Sequence, residues 1–239
     1  MTTSGTASFN LDLNDLVEEA FERCGSEMRT GYDLRTARRS MNLLFADWAN
    51  RGVNLWTIEQ GQISLVQGQA TYALPVDTVD LLEHVIRTQP GSVPNQADLT
   101  ITRISVSTYA TIPNKLAQGR PIQVWINRQS GATTPTGANP PTINVWPTPD
   151  NSQPYTFVYW RMRRIQDAGA GGTATQDIPF RFLPCLTAGL AYYLALKIPE
   201  ALPRLDVLKA MYDEAWELAA GEDREKAADR LVPRQMYIT

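Results

Sequence analysis

Apolar residues recur at three- and four-residue spacing at both ends of this chain and at alternate positions through its middle. Leu13, Leu16, Val17, Ala20, Phe21 and Cys24 fall on one helical face, Glu18, Glu19 and Glu22 on the rest, and Gly25 can end the helix. Asp33 is placed to cap a second helix whose stripe runs Leu34, Ala37, Met41, Leu44, Phe45 and Trp48 and stops at Gly52. The period then changes. "TIEQGQISLV" and "ATYALP" alternate around "QGQ", which predicts a hairpin with a tight glycine turn. "DLLEHVIRT", the weakest of the patterns, then "DLTITRIS", "PIQVWINR", "TINVWPTP" and "YTFVYWRMRR" supply five further strands between Pro, Gly and Asn clusters.

Two connections, Gln129–Pro141 and Asp167–Asp177, offer few side chains to pack and read as long loops. Beyond them, residues 185–198 are apolar on nearly every side, which predicts a helix central to a bundle. Leu202, Leu205, Leu208, Tyr212, Ala215, Trp216 and Ala219 then form a fourth stripe, with Pro203 suited to its first turn. Neither end of the chain can build a core alone. The expected fold is therefore α+β: a discontinuous helical bundle, two helices N-terminal and two C-terminal, with an inserted, mainly antiparallel β domain. The boundaries read as an N-terminal arm at 1–9, a helical domain at 10–56 plus 178–221, the β domain at 57–177 and a C-terminal arm at 222–239.

Charge changes the picture by exclusion. In 239 residues, 22 basic against 25 acidic side chains give a formal charge of -3, so there is no general cationic surface for phosphates. Cys24 and Cys185 sit inside apolar helical patterns as small hydrophobes, which predicts a reduced protein without disulfides. "MTTSGTASF" lacks a basic region followed by an apolar run, and "CLTAGLAYYLALKI" is too short to span a bilayer, so a soluble protein is expected. The single histidine, His84, lies on a strand pattern and reads as a half-buried packing residue. No CxxC pair, Walker loop, dinucleotide fingerprint or GxSxG elbow is present. No catalytic residue, metal or cofactor is expected.

What remains is surface. Arg35, Arg38 and Arg39 share the polar side of the second helix, and Arg161, Arg163 and Arg164 close the last strand; each group reads as solvated, as a protein interface or as a limited phosphate contact. Trp125, Trp146, Tyr159 and Trp160 lie in strand patterns and are expected in the β core. Near the C-terminus, Leu231, Val232, Met236, Tyr237 and Ile238 follow an alternating-charge stretch. They either fold back on their own bundle or form an arm that docks on another subunit or partner.

The ordered set "LLFADWANRGVNLW", "ISLVQGQATYALPVDTVDLL", "GRPIQVWINR", "INVWPTPD", "FRFLPCLTAGLAYYLALKIPE" and "DEAWELAAGEDRE" resembles the head-to-tail adaptor proteins of tailed bacteriophages. It is most similar to those of short-tailed phages, the tail tubular protein A and tail accessory factor group. The resemblance implies a structural virion protein at the head–tail interface, made in the host cytoplasm. It further implies a twelve-subunit ring between the portal protein and a tail nozzle or tail tube protein. Such a ring extends the DNA channel and helps retain the packaged genome, with duplex DNA passing through unread. A near-neutral subunit suits that, because tight phosphate contacts would slow ejection. Two other readings stay open: a virion-associated peptidoglycan hydrolase using a carboxylate pair such as Glu18 and Glu22, and a nucleic-acid-binding module.

Overall fold

Asp12 starts the first helix. Its Oδ1 accepts the backbone N–H groups of Asn14 and Asp15, both at 2.9 Å, satisfying two donors that the first turn leaves free. In this computed structural model, residues 3–29, 31–52, 55–134, 137–169 and 174–224 are described. Helices α1 (Leu13–Cys24) and α2 (Gly31–Asn50) precede strands β1 (Ile58–Ser64), β2 (Thr71–Ala73), β3 (Thr78–Thr88), β4 (Ala97–Thr100) and β5 (Thr102–Arg103). A short helix α3 (Val106–Thr111) leads to β6 (Gln123–Asn127), β7 (Thr133–Thr134), β8 (Gly137–Ala138), β9 (Thr142–Trp146) and β10 (Tyr155–Arg163). Helices α4 (Leu183–Ala195) and α5 (Leu205–Glu222) follow. The fold is α+β with an inserted β unit. By contacts the chain divides into Met1–Leu55 with Asp167–Thr239, and Trp56–Gln166.

In the helical unit, α4 is the hub. It packs against α1, α2 and α5, and Leu186, Leu190, Ala191 and Leu194 are almost fully buried. Gly25 ends α1 in the left-handed region at φ 77°, and Ser26 N–H returns to Phe21 O at 3.0 Å. Helix α2 begins at Gly31, two residues before the expected cap, so Asp33 lies inside its first turn and Asp33 Oδ2 accepts the Arg29 N–H. Trp48 is fully buried, donates Nε1–H to the Tyr212 hydroxyl at 3.0 Å, and meets the rings of Phe182 and Trp216 at 5.5 and 5.6 Å. Arg51 covers this cluster, its guanidinium 4.7 Å from the Trp216 ring and paired to Asp47 at 2.8 Å.

Of the segment read from sequence as the second long loop of the β domain, the described ends, 167–169 and 174–177, fall with the helical unit. Leu13 N–H donates to Ala174 O at 3.1 Å, Asp12 bridges Thr175, and Ala168 N–H donates to Asn42 Oδ1 at 2.7 Å. Periodicity gave no sign of this, because backbone hydrogen bonds need no apolar side chain.

The β unit is two facing sheets, ordered β1-β10-β3-β4 and β2-β9-β6-β5, plus the small pair β7-β8. Their common core takes Leu81, Ile86, Phe157 and Tyr159 from one sheet and Tyr72, Val124, Ile126, Ile143 and Val145 from the other. The hairpin expected around "QGQ" is absent. A turn does form, with Gly68 at φ 72°, but β1 pairs with β10 and β2 with β9, so the chain crosses between sheets. Tyr72 pins the corner: its hydroxyl accepts the Val66 N–H at 2.9 Å and lies within hydrogen-bonding distance of the Val66 and Gln69 carbonyls. The weakest strand pattern, "DLLEHVIRT", proves to be most of the longest strand, β3. A register shift opposite Trp160 and Arg161 interrupts the alternation that sequence reading relies on.

Only one of the four expected core aromatics, Tyr159, is in the core. Trp125, Trp146 and Trp160 are partly exposed, one register position away on the outer faces of their sheets. Trp125 stacks on Tyr109 of α3 at 5.2 Å, and Trp146 donates Nε1–H to Asn114 O at 3.0 Å, so α3 and its following loop lie over that face. His84 stacks on Phe157 at 5.9 Å, and burial lowers its pKa below the usual histidine value.

Candidate docking surfaces

Three surfaces of the helical unit can engage another molecule. The first is the arginine face of α2. Arg35, Arg38 and Arg39 stand at i, i+3 and i+4 and, with Tyr32 and Asn42, line a concavity of about 510 Å³. Among the described residues no carboxylate lines it. Arg39 donates to Thr36 Oγ1 at 3.3 Å, whereas Arg38 Nε is buried without a hydrogen-bond partner among the described residues. Nearby, Lys197 donates to Ser40 Oγ at 2.7 Å; burial first, then the charge of Arg39, holds its ammonium below the ordinary lysine value. Three guanidiniums thus line one concavity on a chain whose net charge is -3.

The arginines on β10 behave differently. Arg161 donates to Asp77 Oδ1 at 2.6 Å and Glu59 Oε2 at 2.8 Å, and Arg163 donates to Glu59 Oε1 at 2.6 Å. Their side chains are each 11 % exposed. They are neutralised ties between β1, β10 and the turn before β3, and offer a partner little.

The second surface is a groove of about 980 Å³ along α1. Phe9 and Leu11 form one apolar wall, Phe180, Leu183 and Pro184 the other, and Asp15, Glu18, Glu19 and Glu22 supply an acidic rim. Phe9 and Phe180 are 77 % and 76 % exposed. Of the rim acids, Glu19 is paired to Arg23 at 2.8 Å. From sequence these glutamates read as a solvated helix face or, for Glu18 and Glu22, as a carboxylate pair; the groove was not foreseen, because its lining also comes from residues before α1 and from Phe180, far away in the chain.

The third surface is the outer side of α5. Val207, Met211 and Leu218 are spaced to share one helical face and are 63 %, 45 % and 69 % exposed. The inner side of the same helix buries Leu208, Tyr212 and Ala219. Leu208, Tyr212 and Ala219 of the stripe expected from sequence lie on this inner side, whereas Leu202 is 53 % exposed and, with Pro203, belongs to the 3-10 turn Pro199–Arg204 before α5; the outer stripe is legible only once the inner is assigned.

Both thiols are buried. Desolvation pushes Cys24 up to about 11 and Cys185 up to about 12, and Cys24 Sγ donates to Ala191 O at 3.2 Å. Among the described residues no group of three His, Cys, Asp or Glu side chains is arranged to hold a metal ion, and no helix is long and apolar enough to cross a membrane. At the end of α5, Asp223 Oδ1 accepts from Arg181 Nη2 and Oδ2 from Leu55 N–H, both at 3.1 Å, with the carboxylate 1 % exposed. This clamp gathers three chain segments at one point. The candidate interface residues Leu231, Val232, Met236, Tyr237 and Ile238 lie outside the described residues.

Surfaces of this kind, on a unit that otherwise closes its own core, suit a protein that works by contact with other macromolecules. The chain matches the family model of the SU10 adaptor protein over residues 11–234, and it belongs to that family. It is a phage adaptor, a structural virion protein of the head–tail junction. Comparison with curated proteins gave no match.

Proposed function

We propose that copies of this chain assemble into a ring, twelve by the resemblance to short-tailed phage adaptors, between the portal and the first tail component. The ring extends the DNA channel and helps to retain the packaged genome. The observation that carries the reading is the outer stripe of α5. Three large apolar side chains on one helix face cost free energy in water, and side-by-side packing of copies relieves it, at about 1.5–3 kcal/mol per buried side chain before ordering costs. The arginine face of α2 is the portal-docking element in this reading, since a concavity with three guanidiniums and no carboxylate fits an acidic protein surface. The near balance of charge over the whole chain leaves DNA free to slide.

The test is electron microscopy of the full chain mixed with its portal. Wild type gives rings on the portal. Val207→Lys with Leu218→Lys removes the rings while leaving helical content by circular dichroism unchanged. Rings formed normally by that variant would sink the assignment of α5.

A further inference from the structure

We propose that the groove along α1 is the seat of the chain's own residues 230–238. The proposal stands on the groove and the sequence and does not depend on ring formation. Two features of the groove define its occupant: apolar walls carrying Phe9 and Phe180, both largely exposed, and an acidic rim of Asp15, Glu18 and Glu22 beyond the Glu19–Arg23 pair. A complementary segment is extended, apolar at several positions, and basic. Residues 230–238, "RLVPRQMYI", carry Leu231, Val232, Met236, Tyr237 and Ile238 together with Arg230 and Arg234, and no acid.

The take-off point favours the same chain over another copy. The Asp223 clamp holds the end of α5 on Arg181, and Arg181 follows Phe180, a wall residue of the groove. The six steps from Arg224 to Arg230 reach up to about 20 Å when extended, which is ample from a start beside the wall. Residues 230–238 extended cover about 30 Å, against roughly 18 Å for the length of α1. Apolar contacts with Phe9, Leu11 and Phe180 would supply most of the affinity, and the rim charges would fix the position of Arg230 and Arg234.

The experiment uses the full chain with Tyr237 replaced by the photo-cross-linker p-benzoylphenylalanine, irradiated at dilute concentration, with attachment sites mapped by mass spectrometry. Single-chain products joined to residues 7–23 or 180–187 are expected. Phe180→Ser, at a surface position, lowers their yield roughly tenfold, the equivalent of one lost aromatic contact. Glu18→Lys with Glu22→Lys, both exposed positions, also lowers it while helical content is retained. Attachments elsewhere on the chain overturn the proposal, as does a yield indifferent to both variants. Two-chain products joined at the groove overturn the intramolecular seat and move the segment to a neighbouring copy.

Discussion

The two units of this chain solve the same burial problem by opposite routes. The β unit is one continuous stretch, Trp56–Gln166, whose two sheets face each other and share one core. The helical unit is assembled from both ends of the chain around α4, and it leaves an apolar stripe, a cationic concavity and an acid-rimmed groove at its surface. Charged groups mark the contrast. The arginines of β10 are spent on internal ion pairs, whereas those of α2 line an open concavity with no carboxylate among the described residues. The contiguous unit is thus built to fold by itself, whereas the composite unit needs both ends of the chain, and its concavity and the outer stripe of α5 are the surfaces we propose for partners.

The sharpest way to break that comparison is to separate the units. Residues 56–166 alone should unfold cooperatively by circular dichroism, while residues 1–55 alone should show little helix, because α1 and α2 bury their apolar faces on α4 and α5. Replacing residues 57–165 with a short flexible linker should restore a helical, soluble protein. A helical 1–55 fragment, or an unfolded 56–166 fragment, would reverse the contrast.

A smaller effect is expected at Gly189, where a Cβ would lie 2.9 Å from both Leu44 Cδ2 and Tyr212 Cε2. Tyr212 cannot withdraw freely, because its hydroxyl accepts the Trp48 indole N–H. Gly189→Ala should destabilise the helical unit by about 1–3 kcal/mol of overpacking, offset by up to about 1 kcal/mol of helix propensity. The denaturant midpoint of the helical signal should fall and that of the β unit should hold. An unchanged or raised helical midpoint would show that α2, α4 and α5 are less tightly apposed.

The smallest effect is electrostatic and confined to the β unit. Burial pushes the Asp77 carboxyl up, but the hydrogen bond and charge of Arg161 prevail and hold it below the usual range. A carboxylate depressed in the folded state stabilises above its unfolded pKa of about 3.9, and that stabilisation is lost as pH falls through the folded value. Titrating the β unit's stability from neutral pH downward should show a loss that Asp77→Asn removes. Equal acid sensitivity in the variant would assign the loss to other carboxylates.

Much of this architecture was legible because helical and strand periods differ. The stripes of α1, α2 and α5 and the apolar run of α4 announced the bundle, and the switch of period announced the insertion. What could not be read was pairing. Strands adjacent in sequence at Gly68 pair with different sheets, and the choice is made by Tyr72 and by partners some 70 to 100 residues away. The outward positions of Trp125 and Trp146 were hidden because their neighbours on both sides are apolar too. Of the surfaces, the arginine cluster was visible as spacing on one helix. The groove was not, since its walls come from residues before α1 and from the approach to α4.

The antiparallel pairing of β1 with β10 has a further consequence for synthesis. Ile58 and Met162 are register partners, so the two ends of the inserted unit emerge one strand spacing apart, about 5 Å. Once folded, the insert acts as a short staple between α2 and α4, and most of the entropy of closing that long loop has already been met within the insert. At translation speeds of about 5–20 residues per second, α1 and α2 leave the ribosome on the order of ten seconds before α4 can cover them. The β unit is thus fully synthesised before α4 emerges, and the segments of α1 and α2 gain their helical partners only after that.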